Sequence, residues 1–337
     1  MPLLVLAAVA LSHAEAYQQI RRGKVVAIAT RQRDKLNAFG DNFGVAARYT
    51  DYRELFAREK PDLVHVNTPP NVRLAVMQAA EEAGIPALIV EKPLAIQAED
   101  YLAIAAFART AKTKIAINHQ LHFQPRRQAL QRLVAEGRIG AVRLIDASAR
   151  MNMAYQGTHT LQAIAAFTPG ATPISMMGQV AGAQGLQATP KQHFAPDQTL
   201  SALTFDNGVS AFLRCGPQAP YVLPGDERVH VHKRVAVYGE RGSVHWSMWG
   251  WETTIDGQVA RGQHDYFAED LLGQAAMTEA MFDWLEDERA VHPLNLTAAL
   301  QDFNLVLKTY MSALNHRSYT LADEPQPALI DALRQRL

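Results

Sequence analysis

Apolar residues in this chain come in short runs separated by stretches spaced as helices. Up to about residue 118 the runs are Leu3–Ala7, Val25–Ala29, Leu63–Val66, Ala87–Val90 and Ile115–Ile117. They are mainly apolar rather than alternating, as strands buried on both faces are. Between them, Ala10–Arg22, Asp34–Asn42, Tyr52–Glu59, Val72–Ala83 and Gln97–Thr110 read as helices. Strand and helix in turn predict a doubly wound parallel sheet. Asn71, after Thr68-Pro69-Pro70, is a candidate helix cap.

After Asn118 the pattern changes. A helix over Pro125–Glu136 leads through Gly137 and Gly140 to a strand over Val142–Ala149. Local pairs follow: Leu200–Phe205 with Val209–Arg214 across Asp206-Asn207-Gly208, Arg234–Tyr238 with Ser243–Ser247, and Thr253–Ile255 with Gln258–Ala260. Such turns favour hairpins and hence a mainly antiparallel sheet. Two helices, about Glu269–Glu288 and Leu296–Ala313, close the chain. The expected division is therefore 1–118 and 119–337, in keeping with a length of 337 residues. No internal repeat is visible.

The start of the chain supports two readings. Residues 1–16 have the apolar core and small-residue ending of a signal peptide. No Lys or Arg precedes that core, however, and Glu15 stands beside the expected cut. Cutting after Ala16 would remove the first strand of the sheet, so the strand reading is adopted. Lys+Arg and Asp+Glu balance at 33 each, which disfavours nucleic acid or an anionic membrane as main partner. No apolar run reaches the length of a membrane span. Cys215 is the single cysteine, so no intrachain disulfide forms, compatible with a cytoplasmic location. No metal site is expected.

Glu91-Lys92-Pro93 follows the apolar run ending at Val90. Ionised groups beside an apolar sheet are costly unless paired or used. The carboxyl ends of strands in open α/β sheets are also where ligands bind. Pro93 restricts Lys92, so the lysine is held. A strand-end turn carrying a solvated lysine fits the same residues.

Taken in order, the motifs resemble the glucose–fructose oxidoreductase / inositol dehydrogenase (Gfo/Idh/MocA) family. They are the segment Val64 to Pro70, Glu91-Lys92-Pro93, the segment Asn118 to Pro125 with Glu136 to Gly140, the segment Tyr238 to Ser243, and the helix ending Tyr310 to Leu314. The resemblance implies a Rossmann domain joined to an α+β domain with a large open antiparallel sheet. It also implies hydride transfer between NAD(P) and a sugar or cyclitol-like polyol, and a homodimer or homotetramer. It makes Lys92 the catalytic lysine, oriented by Glu91, and His159 the proton acceptor or donor. Tyr155 stands where the family usually has Asp; it is a candidate for the relay or for a substrate hydroxyl, or it packs. His119 and His122 are candidates for substrate contact. Arg73 stands where many relatives carry His, or is a solvated residue at a helix start.

The glycine loop departs from the pattern. Val5, Ala7 and Ala10 occupy the three glycine positions, and Ala7, Val9 and Ala10 would face the dinucleotide. The second strand ends without an acid; Thr30, Arg31 and Arg33 follow it. Two arginines suit a 2′-phosphate, so NADP is preferred over NAD. Thr68, Pro69, Asn71, Glu91 and Lys92 complete the expected cofactor contacts. The alternative is a redox-inactive member that binds a sugar-like ligand or serves as a partner subunit. A third reading keeps the cofactor bound and cleaves a glycosidic bond through transient oxidation. Trp246, Met248, Trp249 and Trp251 are candidates for an oligomer face, or for core or cleft lining.

Overall fold

The computed structural model describes residues 2–6, 10–187 and 193–337, with side chains from His13 onward. Its first part runs β1 (Pro2–Leu6), α1 (Ala10–Ala16), β2 (Lys24–Ala29), α2 (Arg33–Phe43), β3 (Ala47–Tyr49), α3 (Tyr52–Glu59), β4 (Leu63–Val66), α4 (Pro70–Glu82), β5 (Ala87–Glu91), α5 (Ala98–Ala108) and β6 (Lys114–Asn118). Next come α6 (Pro125–Ala135), β7 (Val142–Ala149), α7 (Thr158–Phe167), β8 (Pro173–Ala181), β9 (Gln198–Phe205) and β10 (Ser210–Cys215). The chain ends with β11 (Lys233–Gly239), β12 (Gly242–Ser247), β13 (Gly250–Ile255), β14 (Gln258–Gln263), α8 (Tyr266–Glu286), α9 (Leu296–Asn315) and α10 (Leu329–Arg336).

The chain divides into two compact units. The first comprises residues 1–95, 102–123 and 270–300; the second comprises 96–101, 124–269 and 301–337.

In the first unit six parallel strands lie in the order β3-β2-β1-β4-β5-β6. This is the doubly wound order, and its connection reverses between β1 and β4. Val5 pairs in register with Ile28 on one side and His65 on the other, so the first apolar run is a central strand. Expected helix Ala10–Arg22 is shorter: α1 ends at Ala16 and a 3₁₀ turn, Tyr17–Gln19, follows. Asn71 is not a cap: α4 begins at Pro70 after Pro69, without a side-chain cap bond. Proline at that position lacks only an N–H that the helix leaves unpaired anyway. Ile28, Leu63, Ile89 and Ala116 pack with Met277, Met281 and Phe282, so part of α8 closes this core. Arg22 fastens the same helix, with Nε 2.6 Å from Glu279 and Nη2 2.7 Å from Asp283.

In the second unit eight strands run β14-β13-β12-β11-β7-β10-β9-β8. The β7–β10 pair is parallel and the others are antiparallel. The strict in-and-out burial of β9 and β10 buries one face of this sheet. Trp246 and Met248 belong to the core, at 2% and 0% exposure, rather than to an outer face. The Trp246 ring lies 5.6 Å below the guanidinium of buried Arg127, a cation–π contact that its place in the core permits. The exposed apolar side chains of the sheet are instead Ile174, Met177, Leu200, Phe212 and Val259. Among the described residues, no helix is long and apolar enough to cross a membrane.

Candidate active site

Buried polar side chains stand at or just after the carboxyl ends of β4, β5 and β6, which are mainly apolar strands. Glu91, the last residue of β5, is 7% exposed. Its Oε1 accepts from Asn118 Nδ2 at 2.6 Å and from His13 Nε2 at 3.0 Å. Asn118 ends β6 and also donates to Gln274 of α8 at 3.1 Å. Burial works against this carboxylate. The His13 bond, the Lys92 charge and the Asn118 bond overcome it and bring Glu91 down to about 2.

Lys92 and Pro93 are joined by a cis peptide. Arg73, 3% exposed on α4, donates to the Lys92 and Pro93 carbonyls and, at 3.0 Å, to Thr68 O. It is thus no solvated helix-start residue: it ties the turn after β5 to the loop after β4. Burial lowers Arg73 to about 10 and Lys92 to about 8; Glu91 opposes both shifts, and Arg73 adds to that of Lys92. Such a lysine holds its proton loosely enough to exchange it near neutral pH.

Asn67 is 4% exposed, and among the described residues neither its Nδ2 nor its Oδ1 has a protein partner; the same holds for Thr68 Oγ1. Buried polar atoms of this kind are rare unless something else bonds them. They stand at the carboxyl end of β4, next to β1, where open sheets take their ligands. Pro69 is exposed and Asn71 lies exposed in the first turn of α4. Thr30, Arg31 and Arg33 sit elsewhere in the unit, between β2 and the start of α2, with both arginines exposed. Ala7 and Val9 lie outside the described residues, and Ala10 opens α1. His119 follows β6 and is 4% exposed. The His122 ring packs edge-on to Phe123 at 4.9 Å.

The second unit holds Tyr155 and His159. A π-helical turn, Met153–Gly157, runs directly into α7, and the Asn152 side chain caps it by accepting from Tyr155 N at 2.8 Å. His159 is buried in the first turn of α7 at 5% exposure. The Tyr155 ring is partly buried and lies 4.8 Å from that of His193. Among the described residues, no three His, Cys, Asp or Glu side chains converge as a metal site would.

Residues 6–119 match the oxidoreductase family with an NAD-binding Rossmann fold. Over those residues the chain matches the Gfo/Idh/MocA oxidoreductase family. It is 28% identical over 129 residues to the D-apiose dehydrogenase of Paraburkholderia graminis, covering 38% of this chain and 34% of that protein. It is 30% identical over 118 residues to the 1,5-anhydro-D-fructose reductase of Ensifer adhaerens, covering 35% of each. These alignments thus span about a third of the relatives' own length. The crystal structure of an Agrobacterium radiobacter oxidoreductase in complex with NAD+, L-tartaric acid and magnesium superposes with a TM-score of 0.80. That superposition covers 95% of this chain and 98% of the other at 19% identity, and it shows that the fold is shared across both units.

Reading for the family missed His13, Tyr17, His65 and Asn118 as parts of the site. A signal was present. His65 interrupts the apolar run of β4, and a polar residue there needs a buried partner.

Proposed function

We propose that this protein is an NAD(P)-dependent oxidoreductase that transfers a hydride between the nicotinamide and a sugar or cyclitol-like polyol. The observation that carries the reading is the Glu91–Lys92 arrangement. Buried Glu91 and half-buried Lys92 lie at the carboxyl end of a parallel strand, beside Asn67 and Thr68, whose buried polar atoms have no partner among the described residues. Those atoms fit a polar ligand at the place where a dinucleotide binds in this fold. Thr68, Pro69 and Asn71 would hold the nicotinamide half, and Ala7, Val9 and Ala10 would border the pyrophosphate. Thr30, Arg31 and Arg33 would hold the adenosine end, and the two exposed arginines favour NADP. When bound, the cofactor supplies the hydride acceptor or donor.

Lys92 bonds the reacting hydroxyl and stabilises negative charge as it develops on that oxygen. Glu91 supplies the countercharge for the ammonium. His159 takes the hydroxyl proton in oxidation and returns it in reduction, its imidazole acting first as base and then as acid. Tyr155, His119 and His122 hold neighbouring substrate hydroxyls. The protein works as a homodimer or homotetramer in the cytoplasm, with exposed Met177, Leu200 and Phe212 on the sheet face of the subunit contact.

The test is a titration of NADPH and of NADH into the purified protein, followed by quenching of tryptophan emission. Binding is expected for both, tighter for NADPH. No binding of either at millimolar concentration removes the reading. Lys92→Ala should then abolish turnover across a polyol panel while cofactor binding stays within about threefold, because the lysine acts on the substrate oxygen.

A further inference from the structure

A line of buried hydrogen bonds ends on Glu91. Tyr17 Oη lies 3.2 Å from His65 Nε2, His65 Nδ1 lies 2.7 Å from His13 Nδ1, and His13 Nε2 lies 3.0 Å from Glu91 Oε1. His13 and His65 are 1% and 0% exposed, and they stand on different elements, α1 and β4. The rings meet edge to face, with centroids 4.8 Å apart.

The partners fix where each proton sits. Two Nδ1 atoms at this distance hold one proton between them, since two N–H groups would clash and two lone pairs would repel. An ionised carboxylate only accepts, so His13 Nε2 carries a proton towards Glu91. Arg73 and Lys92 already set two cationic groups against this one carboxylate, and a third buried cation would be poorly compensated. In the arrangement with His13 neutral, its Nδ1 accepts and His65 is the donor there. Burial holds His65 well below the ordinary imidazole range, so it stays neutral and its Nε2 accepts from Tyr17. Burial and Glu279 raise Tyr17, so its hydroxyl keeps the proton it donates. The Asn118 amide is oriented by the same logic. Turned over, its oxygen would face both Glu91 Oε1 and Gln274 Oε1. Its 3.1 Å approach to His13 Nε2 is that of two donors converging on one oxygen.

We propose that Tyr17, His65 and His13 form a relay of oriented donors, Tyr17 to His65 to His13 to Glu91, that positions the Glu91 carboxylate and through it sets the charge on the Lys92 amine. The three are positioning residues: none is assigned a contact with substrate. The role rests on the reading of Lys92 as the group that meets the substrate hydroxyl. The relay itself is a statement about protons and can fail or stand independently.

Two measurements test it. In ¹⁵N-histidine-labelled protein at pH 8, long-range proton–nitrogen spectra should show two buried neutral rings. His65 should carry its proton on Nδ1 and His13 on Nε2, each assigned by its loss in His65→Asn or His13→Gln. A proton on Nε2 of His65, or a doubly protonated His13, overturns the relay whatever the protein catalyses. The second measurement labels lysines with trace acetic anhydride at pH 7 and reads Lys92 by peptide mass spectrometry. His13→Leu and Glu91→Gln should each raise Lys92 acylation roughly twofold or more, the change that a fall of about half a pKa unit gives. His13→Gln, whose amide can replace the Nε2 donor, should return it to the unmodified rate. Equal acylation in His13→Leu and in the unmodified protein overturns the positioning role. If a leucine variant fails to fold, Tyr17→Phe takes its place and the tautomer spectra stand unaffected. Turnover of Lys92→Ala tests the underlying reading separately.

Discussion

Arg73 Nη2 donates to the carbonyl oxygen of Lys92 at 3.2 Å, so a helix of the sheet's first unit grips the backbone of the candidate catalytic lysine. The same guanidinium reaches the carbonyls of Pro93 and Thr68. Three carbonyls on two loops thus depend on one buried side chain. Arg73→Met keeps the bulk and removes all three donors. It should cost about 2–4 kcal/mol, from stranded carbonyls rather than a lost ion pair. Urea unfolding checks this. Arg73→Lys should recover only part of the loss, because an ammonium cannot reproduce the guanidinium fork.

Lys92 should be a liability for stability. Burial lowers it from 10.5 to about 8, so below pH 8 the fold carries an ammonium that the unfolded chain holds more cheaply. That penalty is complete below pH 8 and is lifted as pH rises from 8 to 10.5, where the unfolded chain binds more protons than the folded one. Lys92→Met should therefore melt higher at pH 7, by the equivalent of about 1–3 kcal/mol, while losing turnover. A melting temperature that falls would show that the ammonium is instead a net stabiliser of its surroundings.

What the sequence conveyed followed the physics of each signal. Mainly apolar runs such as Leu63–Val66 and Ala87–Val90 mark doubly covered strands, and they became the centre of the parallel sheet. β3 went unread because it is only 3 residues long, and β8 because Gly178 and Gln179 break its alternation. α7 went unread because the π turn before it displaces the helical spacing. Nothing in the spacing of residues 270–300 says that they complete the Rossmann core, since that depends on which face of α8 finds a partner. At the site, Glu91 and Lys92 were visible as charges at the end of an apolar run. His65 was visible only as a polar break in an apolar run and Arg73 only as a residue near a helix start, because which partners bury a polar side chain is a property of the tertiary structure.

Glu91 should leave a mark on acid stability. Its carboxylate falls from the usual 4.5 to about 2 on folding, against the cost of burial, through His13, Lys92 and Asn118. A depressed carboxylate contributes stability that is present above 4.5 and is lost as pH falls through about 2. The urea midpoint of the unmodified protein should thus decline across that interval. Glu91→Gln should start lower at pH 7 and decline less steeply between pH 4.5 and 2. Parallel curves for the two proteins would mean that the carboxylate is not held below its ordinary range.

The turn that carries Tyr155 into α7 depends on the absence of one methyl group. Gly157 has ordinary helical dihedrals, φ −62° and ψ −27°, so its backbone does not require glycine. Its surroundings do. A Cβ there would sit 2.7 Å from Cys215 Sγ and 2.9 Å from Met153 Sδ, and those two sulfurs are themselves 3.5 Å apart. Met153 can swing away, whereas Cys215 is fixed in β10. Gly157→Ala should therefore cost about 1–3 kcal/mol and displace the start of α7, where His159 stands. Cys215→Ala removes the obstructing sulfur, and the two sites are in contact, so their effects should not add. The double variant should regain about 1 kcal/mol or more relative to the sum of the single changes. Equilibrium unfolding of all four proteins measures this coupling, and strict additivity would place the obstruction elsewhere.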